Sequence, residues 1–158
     1  MSIAELLLFA HVLSAFWYVI GLSAVQMAYV RATQASELGA QASALEEASH
    51  FQGVLLVPGA IAIGATGLFY WMKLDYELLR TGFLLALEGL YLATLFFCLP
   101  ILGMALRRAR IAALKAQRAG KTVPELEEAL HDGVPLAFGS LATIILVAMT
   151  LISVSRPF

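Results

Sequence analysis

Residues 83–97 read FLLALEGLYLATLFF, an apolar run interrupted by one carboxylate, Glu88. Widened to 82–106, the run exceeds the ~20 helical residues needed to cross the hydrocarbon core of a bilayer. Three other stretches match it in length and character: 6–30, 54–72 and 134–154. Of the 158 residues 61% are hydrophobic and 13% charged, with a mean hydropathy of +0.85. A soluble domain of this size cannot hide so much apolar surface, so the chain reads as an integral membrane protein. The net charge of -1 and the lack of a basic stripe exclude a nucleic-acid partner, and the lone Cys98 excludes an internal disulfide or CxxC site.

The expected fold is an all-α membrane protein, an up-down four-transmembrane-helix bundle. It forms a single transmembrane domain, 1–158, with helices at about 3–31, 44–73, 79–118 and 123–155. The first run is read as a spanning helix and not a signal peptide, because Glu5 stands where a basic n-region belongs and the run outlasts an h-region. The short link KLDYELLR makes helices two and three an antiparallel hairpin. The segment QASELGAQASALEEASH extends helix two before its apolar run, and ALRRARIAALKAQRAG extends helix three beyond its own, to a stop at Gly120. TVPELEEAL opens helix four, with Thr122 as N-cap, Pro124 in the first turn and Glu125 as capping-box partner. Pro58, Pro100 and Pro135 each kink a helix and free a carbonyl. Gly59, Ala60, Gly64, Ala65 and Gly67 give helix two a small-residue surface for close packing.

Arg31, Arg107, Arg108, Arg110, Lys115, Arg118 and Lys121 fall on the loops after helices one and three, against Lys73, Arg80 and Arg156 at the other end. The positive-inside rule puts the first group in the cytoplasm of a bacterial inner membrane and both termini on the extracytoplasmic side. Trp71, Tyr70 and Lys73 then anchor helix two at the outer interface. The expected partners are the lipid bilayer and other membrane subunits or further copies of the chain.

Counting ~1.5 Å of rise per residue puts His11 and Glu88 in one layer, roughly 8–9 Å below the outer boundary. Thr66, Gly67, Met149 and Thr150 come to about the same level. His11, Ser14, Tyr18 and Gly21 share a helix face, as do Glu88, Tyr91 and Cys98, and Ser140, Thr143 and Thr150 recur on one face of helix four. Polar groups turned to lipid are costly, so these stripes are expected to face one another, with His11 meeting Glu88. Such a pair suits an ion pair, a carboxylate orienting a ligating imidazole, or proton handling. The plainer alternative is a protonated Glu88 hydrogen-bonded to Tyr18 or a serine, holding helices together. His50 and His131, at the basic mouths of helices two and four, form a second candidate pair able to ligate a metal or a haem iron, or simply to sit at a wet rim.

HVLSAFWYVIGL (His11, Phe16, Trp17, Tyr18, Gly21) and VPGAIAIGATGL (Pro58, Gly67) resemble small bacterial membrane proteins over the first half of the chain. Those proteins are related to the haem-carrying protoporphyrinogen oxidase and the copper-resistance D membrane domain, and the best likeness is to their uncharacterised branch of predicted integral membrane proteins. The resemblance implies a haem b with His11 as an essential or ligating residue, and oxidation of a porphyrinogen. Helix three departs from that pattern, with Arg80 and Glu88 where a lysine and a histidine belong, so that Met149 is left as the other axial candidate. Three readings follow: a haem-associated redox protein or accessory subunit of a membrane redox complex, a structural or assembly subunit without cofactor, and proton or ion passage through His11 and Glu88. The apolar inner half around Gly21, Val25 and Leu95 argues against the last. Enzymatic activity is left open.

Overall fold

A computed structural model describes residues 2–74 and 81–156. Seven helices and no strand occur among the described residues: α1 (Ile3–Gln34), α2 (Leu38–Phe51), α3 (Val57–Lys73), α4 (Gly82–Ala93), α5 (Leu99–Ala119), α6 (Pro124–His131) and α7 (Val134–Ser155). One wide π-turn, Gln52–Leu56, carries α2 into α3, and another, Thr94–Cys98, carries α4 into α5. Four rods result, Ile3–Gln34, Leu38–Lys73, Gly82–Ala119 and Pro124–Ser155, each long and apolar enough to cross a membrane. They form an all-α four-helix membrane bundle. The link containing Arg80 lies outside the described residues.

The breaks have local causes. Pro58 has no N–H, and its ring crowds the carbonyl four residues back. The turn before it is widened, so that the Val57 N–H reaches the Gln52 carbonyl. Leu99 bonds Thr94 in the same way just before Pro100. Ahead of Pro135 the fourth rod does not merely kink. It stops at Asp132 and restarts at Val134, whose N–H bonds the Asp132 carboxylate at 3.1 Å. The buried Tyr29 hydroxyl reaches across from α1 to the Ala129 and Asp132 carbonyls, at 3.2 and 3.0 Å. Gly120 ends α5 in the left-handed region (φ 65), where a side chain would be strained. Thr122 does not cap α6: Val123 stands at the cap with no side-chain bond, and the capping box forms instead between Ser2 and Glu5 on α1.

The ends of the bundle differ. At the basic end α1, α2 and α5 pack through alanine and leucine, with Ala28, Ala32, Leu45, Ala48, Leu106, Ala109 and Ala116 wholly covered. α1 and the second rod then run antiparallel in one register. A Cβ on Gly21 would lie 2.6 Å from the Leu56 nitrogen, and one on Gly59 2.9 Å from the Tyr18 Cα. These glycines let the backbones approach, which is how membrane helices gain packing over lipid. Towards the end that holds both termini the rods carry mostly bulky side chains, apart from the Gly64 and Gly67 face of α3. Of residues 3–13, 61–73, 82–93 and 143–155, only Phe83 is buried.

Candidate functional site

The α1–α3 register brings His11 onto α3 at Thr66 and Gly67. The His11 Nδ1 lies 3.2 Å from the Thr66 Oγ1, and a Cβ on Gly67 would sit 3.0 Å from the imidazole Cε1. Thr66 gives its own proton to the Ala62 carbonyl at 2.7 Å, so its oxygen is left to accept. That assigns the Nδ1 proton of a neutral imidazole to the Thr66 side and leaves the Nε2 with the free lone pair. His11 is half-buried, with the chemistry of a single ligand or hydrogen-bond acceptor.

Glu88 shares this layer but not this site. A Cβ on Gly64 would meet the Tyr91 hydroxyl, and one on Gly103 the Gln52 amide, which sets the register between the second and third rods. Three residues on, Glu88 comes level with Gly67, and so with His11. Its side chain is nonetheless exposed on the outside of α4 and makes no hydrogen bond or ion pair among the described residues. The expected His11–Glu88 contact is not formed, nor is a Glu88 bond to Tyr18 or a serine.

The expected polar stripes meet only in part: Tyr18 and Tyr91 line one cavity, while Ser140, Thr143 and Thr150 of helix four are exposed. Ser14, Thr66, Thr94, Thr143 and Thr150 each donate to the carbonyl four residues back in their own helix. A hydroxyl satisfied in this way tolerates lipid, and Ser140 and Thr150 are exposed.

Met149 sits deeper than His11. It lines a cavity of about 20 Å³ where the closed and open halves meet, together with Tyr18, Ile63, Tyr91, Thr94 and Leu146. The Tyr91 hydroxyl donates to the Ala60 carbonyl at 3.0 Å. Tyr18, only 4% exposed, has a buried hydroxyl with no partner among the described residues. The space admits about one water, which that hydroxyl could bond.

This geometry does not fit a haem held between two ligands inside the bundle. His11 and Met149 belong to different layers, Glu88 is turned away, and the cavity is far too small for a macrocycle. At the basic end His50 and His131 are both exposed. His131 bonds the Glu127 carbonyl through Nδ1 at 2.8 Å, His50 lies against Phe51, and no hydrogen bond or ring contact joins the two histidines. Among the described residues no three His, Cys, Asp or Glu cluster as metal ligands.

Sequence reasoning passed over Asp132. Its carboxylate pairs with Arg108 and caps α7, while its carbonyl accepts from Tyr29, so one residue ties three rods together. An acidic residue directly before Gly-Val-Pro is the signal that pointed to it.

A family model described as Predicted integral membrane protein (DUF2269) matches residues 5–157, and the chain belongs to that family. No curated protein and no solved structure matches it.

Proposed function

We propose that this protein is an accessory subunit of a larger assembly in a bacterial inner membrane, non-enzymatic by itself. The observation that carries the reading is Glu88, a carboxylate on the outside of α4, level with His11 and without a partner among the described residues. An acidic group facing hydrocarbon near mid-membrane costs ~3 kcal/mol on insertion scales, less towards the interface. A donor or cation from a neighbouring membrane helix removes that cost. The basic residues at the opposite end of the rods support a cytoplasmic location for that end, with both termini outside.

The test is extraction of the native membrane in mild detergent, followed by sizing of the protein and of its Glu88→Gln and Glu88→Leu variants. The wild type should run in a larger assembly that Glu88→Gln weakens. Retention of that assembly by both variants would break the reading. Glu88→Leu suits lipid better than the native residue, so its loss of assembly cannot be blamed on failed insertion.

A second reading rests on the free Nε2 of His11, which could serve as one axial ligand to a haem b docked on the flank of α1 and α3. Spectra of the oxidised and dithionite-reduced protein test it. A Soret band abolished by His11→Ala supports it, and no band after iron-replete expression removes it.

A further inference from the structure

α5 leaves the apolar run at residue 106 and carries its first charge at Arg107, so the next turns lie where hydrocarbon gives way to headgroups. α6 packs back against it. Between the two helices is a groove of about 470 Å³ floored by the exposed Met104 and Ile111. Arg107, Arg108 and Lys115 line it on α5, and Glu125 and Glu128, one turn apart, on α6.

Three pairs form among the charges at this end: Arg31 with Glu47, Arg108 with Asp132, Arg110 with Glu46. Arg107, Lys115, Glu125 and Glu128 are unpaired among the described residues. Two unpaired cations and two unpaired carboxylates therefore border a single groove, beside the Arg108 already held by Asp132, and its floor is apolar.

We propose that this groove binds the headgroup of a zwitterionic aminophospholipid, phosphatidylethanolamine. The phosphate lies on Arg107 and Lys115, the ammonium donates to Glu125 and Glu128, and the acyl chains leave past Met104 into the bilayer. The charge pattern selects among headgroups. An anionic headgroup satisfies the cations but leaves two carboxylates facing its negative charge. A choline headgroup offers no N–H donor, and its quaternary ammonium favours aromatic walls, of which the groove has none. The volume lies within the ~300–1,000 Å³ of small-molecule sites. The proposal is independent of Glu88 and of any assembly.

The full chain in mild detergent, offered phosphatidylethanolamine, phosphatidylglycerol or phosphatidylcholine with identical acyl chains, gives the test by native mass spectrometry. Two exposed charge pairs should favour phosphatidylethanolamine by about fivefold over either competitor. The double variant E125Q/E128Q should lose that preference and bring phosphatidylglycerol to parity, while R107Q/K115Q should lower retention of both. All four side chains are exposed, so helicity by circular dichroism should be unchanged in each variant. Equal or better retention of phosphatidylglycerol by the wild type, no retention above the phosphatidylcholine level, or a preference that survives E125Q/E128Q overturns the proposal. Soluble phosphoethanolamine should fail to displace the lipid at equimolar concentration; displacement there would assign the groove to a free phosphate ester and overturn the lipid.

Discussion

The basic half of the bundle and the half near the termini are built from the same four rods, yet only one is closed. Alanine dominates the covered positions of the basic half, and the helices approach until little surface remains. Beyond Gly59 and Ala142 the rods carry many Leu, Ile and Phe and bury almost none of them. Inside a membrane the hydrophobic effect does not choose between these states, because a leucine is as well placed against lipid as against another leucine. Small residues and satisfied polar groups decide where helices close. The half they leave open is the half that has surface to offer a partner.

The widest gap should appear on truncating one large residue from each half. Leu106 is 0% exposed and Ile144 64%. Leu106→Ala should cost about 3 kcal/mol through the void it leaves, and Ile144→Ala no more than about 0.5 kcal/mol. Unfolding in micelles by a graded denaturant measures both, and equal costs would erase the distinction between the halves. The glycines give a steric version of the same test. Gly21→Leu drives a side chain into the Leu55 and Leu56 backbone and should cost about 2–3 kcal/mol. Gly89 on α4 has nothing near its would-be Cβ, so Gly89→Leu should stay within about 0.5 kcal/mol.

Much of this was legible in the sequence, and the failures have one physical origin. The four spans follow from run length alone, and the close approach at Gly59 from its small-residue surroundings. That Glu88 comes level with His11 also followed, since rise per residue is nearly constant. The face of Glu88 did not. Straight-helix spacing puts Glu88 with Cys98, but the π-turn Thr94–Cys98 adds a residue between them. One extra residue rotates everything beyond it by about 100°. Cys98 is buried and Glu88 exposed as a result. Apolar residues all around each rod supplied no amphipathic stripe to correct the error. The serines and threonines misled for a related reason, because a hydroxyl bonded to its own helix no longer reports which side is interior.

A smaller difference should separate two tyrosines, one from each half. Tyr29 Oη serves two carbonyls at a helix break, where the chain offers no intrahelical substitute. Tyr29→Phe should cost about 1–2 kcal/mol. Tyr91 Oη bonds the Ala60 carbonyl within α3. Tyr91→Phe should cost about 0.5 kcal/mol, since a helical carbonyl needs no further donor. Reversal of that order would mean that the open half depends on cross-helix hydrogen bonds more than the closed half does.

The smallest effect belongs to the most conspicuous feature of the basic end, its ion pairs. Arg110 meets Glu46 at 3.4 Å, with side chains 42% and 64% exposed. Exposed pairs contribute up to about 0.5–1 kcal/mol at low salt, and this one lies near the outer limit of contact. Among the described residues the Arg110 Nε is buried without a partner, which offsets part of that gain. Arg110→Ala should therefore change stability by about 0.5 kcal/mol or less. Its coupling to Glu46→Ala in a double-mutant cycle should vanish at 1 M salt, where charges are screened beyond about 3 Å. A coupling that survives such salt would mean that charge, as well as alanine packing, holds the closed half together.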